Sequence, residues 1–147
     1  MSLQEWLRNG WLIEHRTSPG EIAELLGVAD RDLLECRAAG LGPDWRLAIA
    51  YNSALQASKA ALAAAGYRAA REVGHYRVIQ SLAYTIGAGP DLVAKLDAFR
   101  KKRNISDYER PGSVSDQEVA EMLDLARELR NAVESWLRER YPELLRT

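Results

Sequence analysis

The chain has 147 residues, with 20 Lys and Arg against 21 Asp and Glu, 47% hydrophobic residues and 28% charged ones. That composition excludes a disordered chain and fits one folded domain. A net charge of -1 removes the general electrostatic case for nucleic-acid binding, so any anion site has to be local. Cys36, His15 and His75 are the only cysteine and histidines, which rules out an internal disulfide or a cysteine-based zinc site; neither metal nor cofactor is expected.

No apolar run approaches the length that crosses a bilayer. The start, Met1-Ser2-Leu3-Gln4-Glu5-Trp6, lacks the basic and apolar stretches of a signal peptide. A cytoplasmic protein with no membrane partner is the expectation. Sixteen of the 20 basic residues are arginine, a bias that a GC-rich genome produces without selection for function.

In chain order, residues 1–17 carry Leu3, Trp6, Leu7 and Trp11, a short amphipathic segment suited to docking on the rest of the molecule or on a second copy. Ser18-Pro19-Gly20-Glu21 combines an N-cap serine, a proline at the first helical position and a glutamate placed to close a capping box. Ile22, Leu25, Leu26, Ala29, Leu33 and Cys36 then make one apolar stripe, with Cys36 a buried small hydrophobe, until Gly40-Leu41-Gly42-Pro43 stops the helix.

Asp44 is the expected N-cap of a second, Ala-rich helix with Ala48, Tyr51, Leu55, Leu62 and Ala65 inward, ending at Gly66. A third helix begins near His75, carries Ile79, Leu82, Ala83 and Ile86 on one side, and breaks at Gly87-Ala88-Gly89-Pro90. Asp91 caps a short continuation with Leu92, Leu96 and Phe99. A second capping box, Ser115-Asp116-Gln117-Glu118, opens the last helix, striped by Val119, Met122, Leu123, Ala126, Leu129, Val133, Trp136 and Leu137 and limited by Pro142. No segment shows strand alternation. The expected class is all-α: an antiparallel up-and-down four-helix bundle over 18–147, with a short extra helix in 1–17.

Arg100-Lys101-Lys102-Arg103 is the densest positive cluster in this nearly neutral chain. Two readings stand side by side. All four cations form a phosphate-binding patch, or they are last-turn cations that favour the helix dipole, with Asn104 as the exit residue.

The hexapeptide Arg103-Asn104-Ile105-Ser106-Asp107-Tyr108 resembles the signature of the HEPN superfamily, helical proteins whose usual motif is Arg, four residues, then His, with Asn often after the Arg. The resemblance extends from about Leu25 to Leu137, through the Ala-rich helix ending in Gly66-Tyr67, the apolar Val78-Ile79-Gln80-Ser81-Leu82 and the long closing helix. It implies a homodimer in which Arg103, Asn104 and residue 108 line a cleft and cut RNA without metal, in a toxin–antitoxin or phage-defence setting. The alternative it implies, in second place, is a non-catalytic partner of a nucleotidyltransferase.

One position departs from the family pattern: Tyr108 stands where ribonuclease members carry His. A phenol of pKa ~10 has to give up about three units, roughly 4 kcal/mol, to act as a base at neutral pH, so weakened or absent cleavage is expected. His75 supplies the imidazole only if the break at 87–90 folds its helix end back toward Arg103; otherwise it is a surface or capping residue. Asp107 is either a base beside Tyr108 or a partner of Arg103. A helix-turn-helix reading of Glu21-Ile22-Ala23-Glu24-Leu25-Leu26-Gly27-Val28 competes, but residues 30–37 carry Asp30, Asp32 and Glu35 against Arg31 and Arg37, the wrong sign for a groove-reading helix.

Overall fold

A computed structural model describes residues 1–108 and 112–146, the side chains of Asp107 and Tyr108 excepted. Six α-helices dominate: α1 (Leu3–Arg8), α2 (Pro19–Glu35), α3 (Pro43–Ala64), α4 (Gly74–Gln80), α5 (Pro90–Tyr108) and α6 (Asp116–Arg140). Two three-residue strands, β1 (Leu12–Glu14) and β2 (Tyr67–Ala69), form an antiparallel pair in the register Leu12↔Ala69, Ile13↔Arg68, Glu14↔Tyr67. These strands are the first correction to the sequence reading. Three residues are too few to display a period of two, and the pairing is between segments more than 50 positions apart, which local patterning does not register.

The strand pair anchors the N-terminal segment. Ala70 N–H donates to the Trp11 carbonyl and His15 N–H to that of Gly66, both at 2.9 Å. Trp6, Leu12 and Leu62 form a small buried cluster beside the main core, with Trp11 and Tyr67 at its edge. Gly66 makes the turn from α3 into β2 at φ +100°, a conformation that costs an L-residue about 1–2 kcal/mol.

The central element is α3. Alanines at 50, 54, 57, 60, 61, 63 and 64 are all buried, and their small side chains let α2 and α6 approach on either side. A helix enclosed on so many sides has no polar stripe, as Ser53 and Ser58 illustrate. Both are buried and satisfied, Ser53 Oγ donating to the Ala29 carbonyl of α2 at 2.7 Å and Ser58 Oγ to Ala54 in its own helix at 2.8 Å. Asp32 is buried on α2 and accepts from Arg31 at 3.1 Å and from Asn52 Nδ2 of α3 at 2.8 Å. Arg130 of α6 clamps Asp30 of α2 with two hydrogen bonds of 2.7 and 3.0 Å.

Helix termini follow the sequence in part. Ser115 and Glu118 close a complete capping box on α6. Ser18 accepts from Glu21 N–H at 3.1 Å, but the Glu21 side chain turns to His15 and Thr17, so only half of that box forms. Asp44 is not the N-cap of α3. Gly42 holds that position with Pro43 following, and Asp44 instead accepts from the Gly112 N–H at 2.6 Å, tying the start of α3 to the loop before α6. The helix expected from His75 to Ile86 is α-helical only to Gln80 and tightens into a 3₁₀ turn over Ser81–Ala83. The expected short continuation after Pro90 is instead a 19-residue helix that carries Asn104 inside it. Finally, α2 runs unbroken through Gly27, so the turn a helix-turn-helix needs at that glycine does not form.

Candidate functional site

The site follows from helix phase. At 100° per residue, Arg100, Arg103 and Asn104 share one face of α5, while Lys101 points outward and Lys102 points to the far side. The structure places Arg100, Arg103 and Asn104 along a cleft of about 360 Å³ whose opposite wall is Arg71, Glu72, Val73, Gly74, His75 and Tyr76, the turn after β2 and the first residues of α4. Lys101, exposed, pairs with Asp97 at 3.5 Å. Lys102 pairs with Glu118 of α6 at 3.4 Å and lines a separate groove between α5 and α6, among Glu121, Asp124 and Glu128. The four-cation run is thus split: two members enter the cleft and two do not. The last turn of α5 holds no basic residue, so the cluster is not a dipole-neutralising cap either.

Each cleft arginine is held from behind. Arg100 Nε donates to Asp97 Oδ1 at 2.7 Å one turn earlier, and its guanidinium lies 5.4 Å from the ring of Tyr76. The Arg77 guanidinium also lies 5.2 Å from the Tyr76 ring and sits 3.7 Å over Trp11. The N-terminal segment therefore contributes to the placement of α4. Arg103 lies 5.8 Å over the ring of Tyr51, a residue of α3 that is 2% exposed. Burial pushes the Tyr51 phenol up to about 12 despite the nearby Arg100 and Arg103, so it stays a neutral aromatic platform.

His75 is the residue whose place the sequence left open. It stands on the cleft wall opposite Arg103, its ring 6.3 Å from that of Tyr51. Burial lowers its pKa below the usual histidine value, and Lys59, Arg103 and Arg100 lower it further by repelling a second positive charge. A neutral imidazole beside guanidinium groups accepts a proton while the cations hold an anion, which is the division of labour required of a base in phosphoryl chemistry. Three arginines against Glu72 make the cleft locally basic in a chain of net charge -1.

Of the sequence-derived site residues, Arg100, Arg103 and Asn104 come together, and Lys101 and Lys102 lie apart from them. The side chains of Tyr108 and Asp107 lie outside the described residues. Sequence reasoning missed Arg71, Tyr76 and Tyr51. The first two sit in Arg71-Glu72-Val73-Gly74-His75-Tyr76, where a charged, glycine-containing turn next to a histidine was the available signal; Tyr51 is indistinguishable in sequence from any core aromatic. No cluster of three His, Cys, Asp or Glu side chains suited to a metal ion occurs among the described residues, and none of their helices is long and apolar enough to cross a membrane. Neither the models of known protein families nor the curated proteins contain a match to this chain.

Proposed function

We propose that this chain is a HEPN-like protein that holds a phosphate group of RNA or of a nucleotide in the α4–α5 cleft, with Arg103 and Arg100 as its ligands and Asn104 beside them. In this reading α2, α3, α5 and α6 constitute an antiparallel four-helix bundle, and the protein works as a cytoplasmic homodimer that presents two such clefts. The observation that carries the reading is the convergence of Arg100, Arg103 and Asn104 from α5 with His75 from α4 on one basic cleft. The arginine–asparagine pair was singled out from the hexapeptide alone, and the imidazole that the hexapeptide lacks stands across from it.

The chemistry this set supports is metal-independent attack of a ribose 2′-hydroxyl on the adjacent phosphate. His75, neutral at pH 7, accepts the 2′-hydroxyl proton as the new P–O2′ bond forms; Arg103 and Arg100 stabilise the charge that builds on the phosphate oxygens; the P–O5′ bond breaks as the His75 imidazolium returns its proton to the 5′-oxygen, which leaves as an alcohol. The imidazole thus takes the role that Tyr108 at the motif position fills poorly. Incubation of single-stranded RNA with the purified protein in a chelator tests both halves of the proposal. The expected result is binding, with slow cleavage to 2′,3′-cyclic phosphate ends; Arg103→Ala should weaken binding by roughly 30-fold and abolish cleavage, and His75→Gln should abolish cleavage alone. Binding without cleavage retains the phosphate site and removes the ribonuclease; absence of both removes the reading.

A further inference from the structure

A second pocket, of about 290 Å³, opens between α2, α3 and β2, on residues the cleft does not use. Its lining is chiefly apolar, with Leu25, Leu62 and Val78 contributing from three helices. The polar groups are unevenly satisfied. Glu21 is engaged through one oxygen: His15 Nε2 lies 2.7 Å from Oε1, and Thr17 Oγ1 donates to the same atom at 2.6 Å. Burial acts against the Glu21 carboxylate, yet the bonds from Thr17 and His15 outweigh it and hold its pKa below the usual value, so it is ionised at neutral pH. Lys59 and Arg68 also line the pocket, and neither has an ion-pair or hydrogen-bond partner among the described residues. Lys59 is the more telling of the two. It is half-buried on α3, a helix otherwise given over to alanine and leucine packing. With its stem half-buried, Lys59 keeps its ammonium group at the pocket, where a carboxylate can pair with it.

We propose that this pocket is a binding site for a small carboxylic acid bearing a short apolar chain, with Lys59 and Arg68 taking the carboxylate and Leu25, Leu62 and Val78 the chain. The arrangement favours a monoanion: Lys59 and Arg68 supply the positive charge, while the ionised Glu21 at the wall repels the second charge of a dianion. The size suits a small ligand, since the volume of about 290 Å³ lies just below the usual range for drug-sized ligand pockets. The inference does not rest on the phosphate cleft, with which this pocket shares no lining residue.

The test uses the full chain and straight-chain acids as probes. Backbone amide NMR is followed during titration with butyrate, pentanoate and hexanoate, and in parallel with hexan-1-ol, hexylamine and hexyl phosphate. The expected result is saturable shifts at Lys59, Leu62, Ala63 and Val78, tightening up to about fourfold per added methylene, the factor that corresponds to ~0.8 kcal/mol of buried CH₂. Hexan-1-ol and hexylamine should bind at least tenfold more weakly than hexanoate, and Lys59→Met, which keeps the apolar stem, should lose hexanoate by a similar factor. Because the alcohol and amine comparisons use the unaltered protein, they hold even where Lys59→Met fails to fold. The proposal is overturned by an absence of saturable shifts at these positions into the tens of millimolar, by hexanol or hexylamine matching hexanoate, or by shifts confined to the α4–α5 cleft. Hexyl phosphate binding more tightly than hexanoate would overturn the choice of a monoanion.

Discussion

The split of the four-cation run makes a prediction that a simple basic patch does not. Arg103 lines the cleft, whereas Lys101, two positions earlier, is 66% exposed and pairs with Asp97 on the outer face. A charge-assisted hydrogen bond to a phosphate oxygen contributes about 1.5–3 kcal/mol. Arg103 is itself half-buried, so screening is incomplete there, and Arg103→Gln is expected to cost about 2 kcal/mol, roughly 30-fold in RNA affinity. It should also flatten the slope of log K against log salt by about 0.7, the increment for one lost phosphate contact on a single strand. Lys101→Gln removes the same formal charge from the same run, but from solvent, and should change affinity by no more than about twofold. The assay is fluorescence anisotropy of a labelled single-stranded RNA across a salt series, with a thermal melt of each variant to exclude unfolding. Equal losses for the two variants, or an unchanged salt slope for Arg103→Gln, would refute the assignment of the cleft and leave only a diffuse surface charge.

Three further outcomes test the parts that position the site. The His75 ring should titrate by NMR below the usual value of about 6.5, because burial and the cations Lys59, Arg103 and Arg100 oppose its protonated form. The unfolded chain then takes up that proton first, so folding stability is complete above about pH 6.5 and declines as pH falls toward the folded pKa; His75→Gln should remove that part of the slope, and an unchanged slope would refute the burial argument. Asp32→Ala removes a buried acceptor and its hydrogen bond from half-buried Asn52, and should lower stability by about 1 kcal/mol in a denaturant melt, the Arg31 donor being exposed. Two glycines make an internal control: no atom lies within 4 Å of a Cβ added to Gly66 or Gly27, so only backbone conformation separates them. Gly66→Ala, at φ +100°, should lose about 1–2 kcal/mol, while Gly27→Ala, exposed within α2, should gain about 0.5–1 kcal/mol.

Much of the helical framework was legible because its signals are local. Ser18, Ser115 and Gly66 mark helix ends through contacts within four residues, and the stripe from Val119 to Leu137 lies on one face of a single helix. What was illegible involves long separations. The β1–β2 ladder joins residues 12–14 to 67–69, and Asp44 reaches a backbone amide 68 positions away instead of its own helix terminus. Local rules assign Asp44 to the cap because they contain no term for Gly112.

The candidate site shows the same division at the scale of one helix. Read as a string, Arg100-Lys101-Lys102-Arg103 is a block of charge; wound at 3.6 residues per turn, it cannot present four side chains to one ligand. Had α5 ended at Asn104, the run would have been a frayed terminus with its cations free to gather. Because the helix continues to Tyr108, phase is enforced: Arg100 and Arg103 are held over Tyr76 and Tyr51, and Lys102 is delivered to Glu118 on the far side. The second wall obeys the same logic in reverse. His75 is a lone histidine in sequence, and it acquires a chemical context only because α4 packs against α3 and α5, bringing an imidazole that burial keeps neutral opposite the guanidinium groups that would hold its substrate.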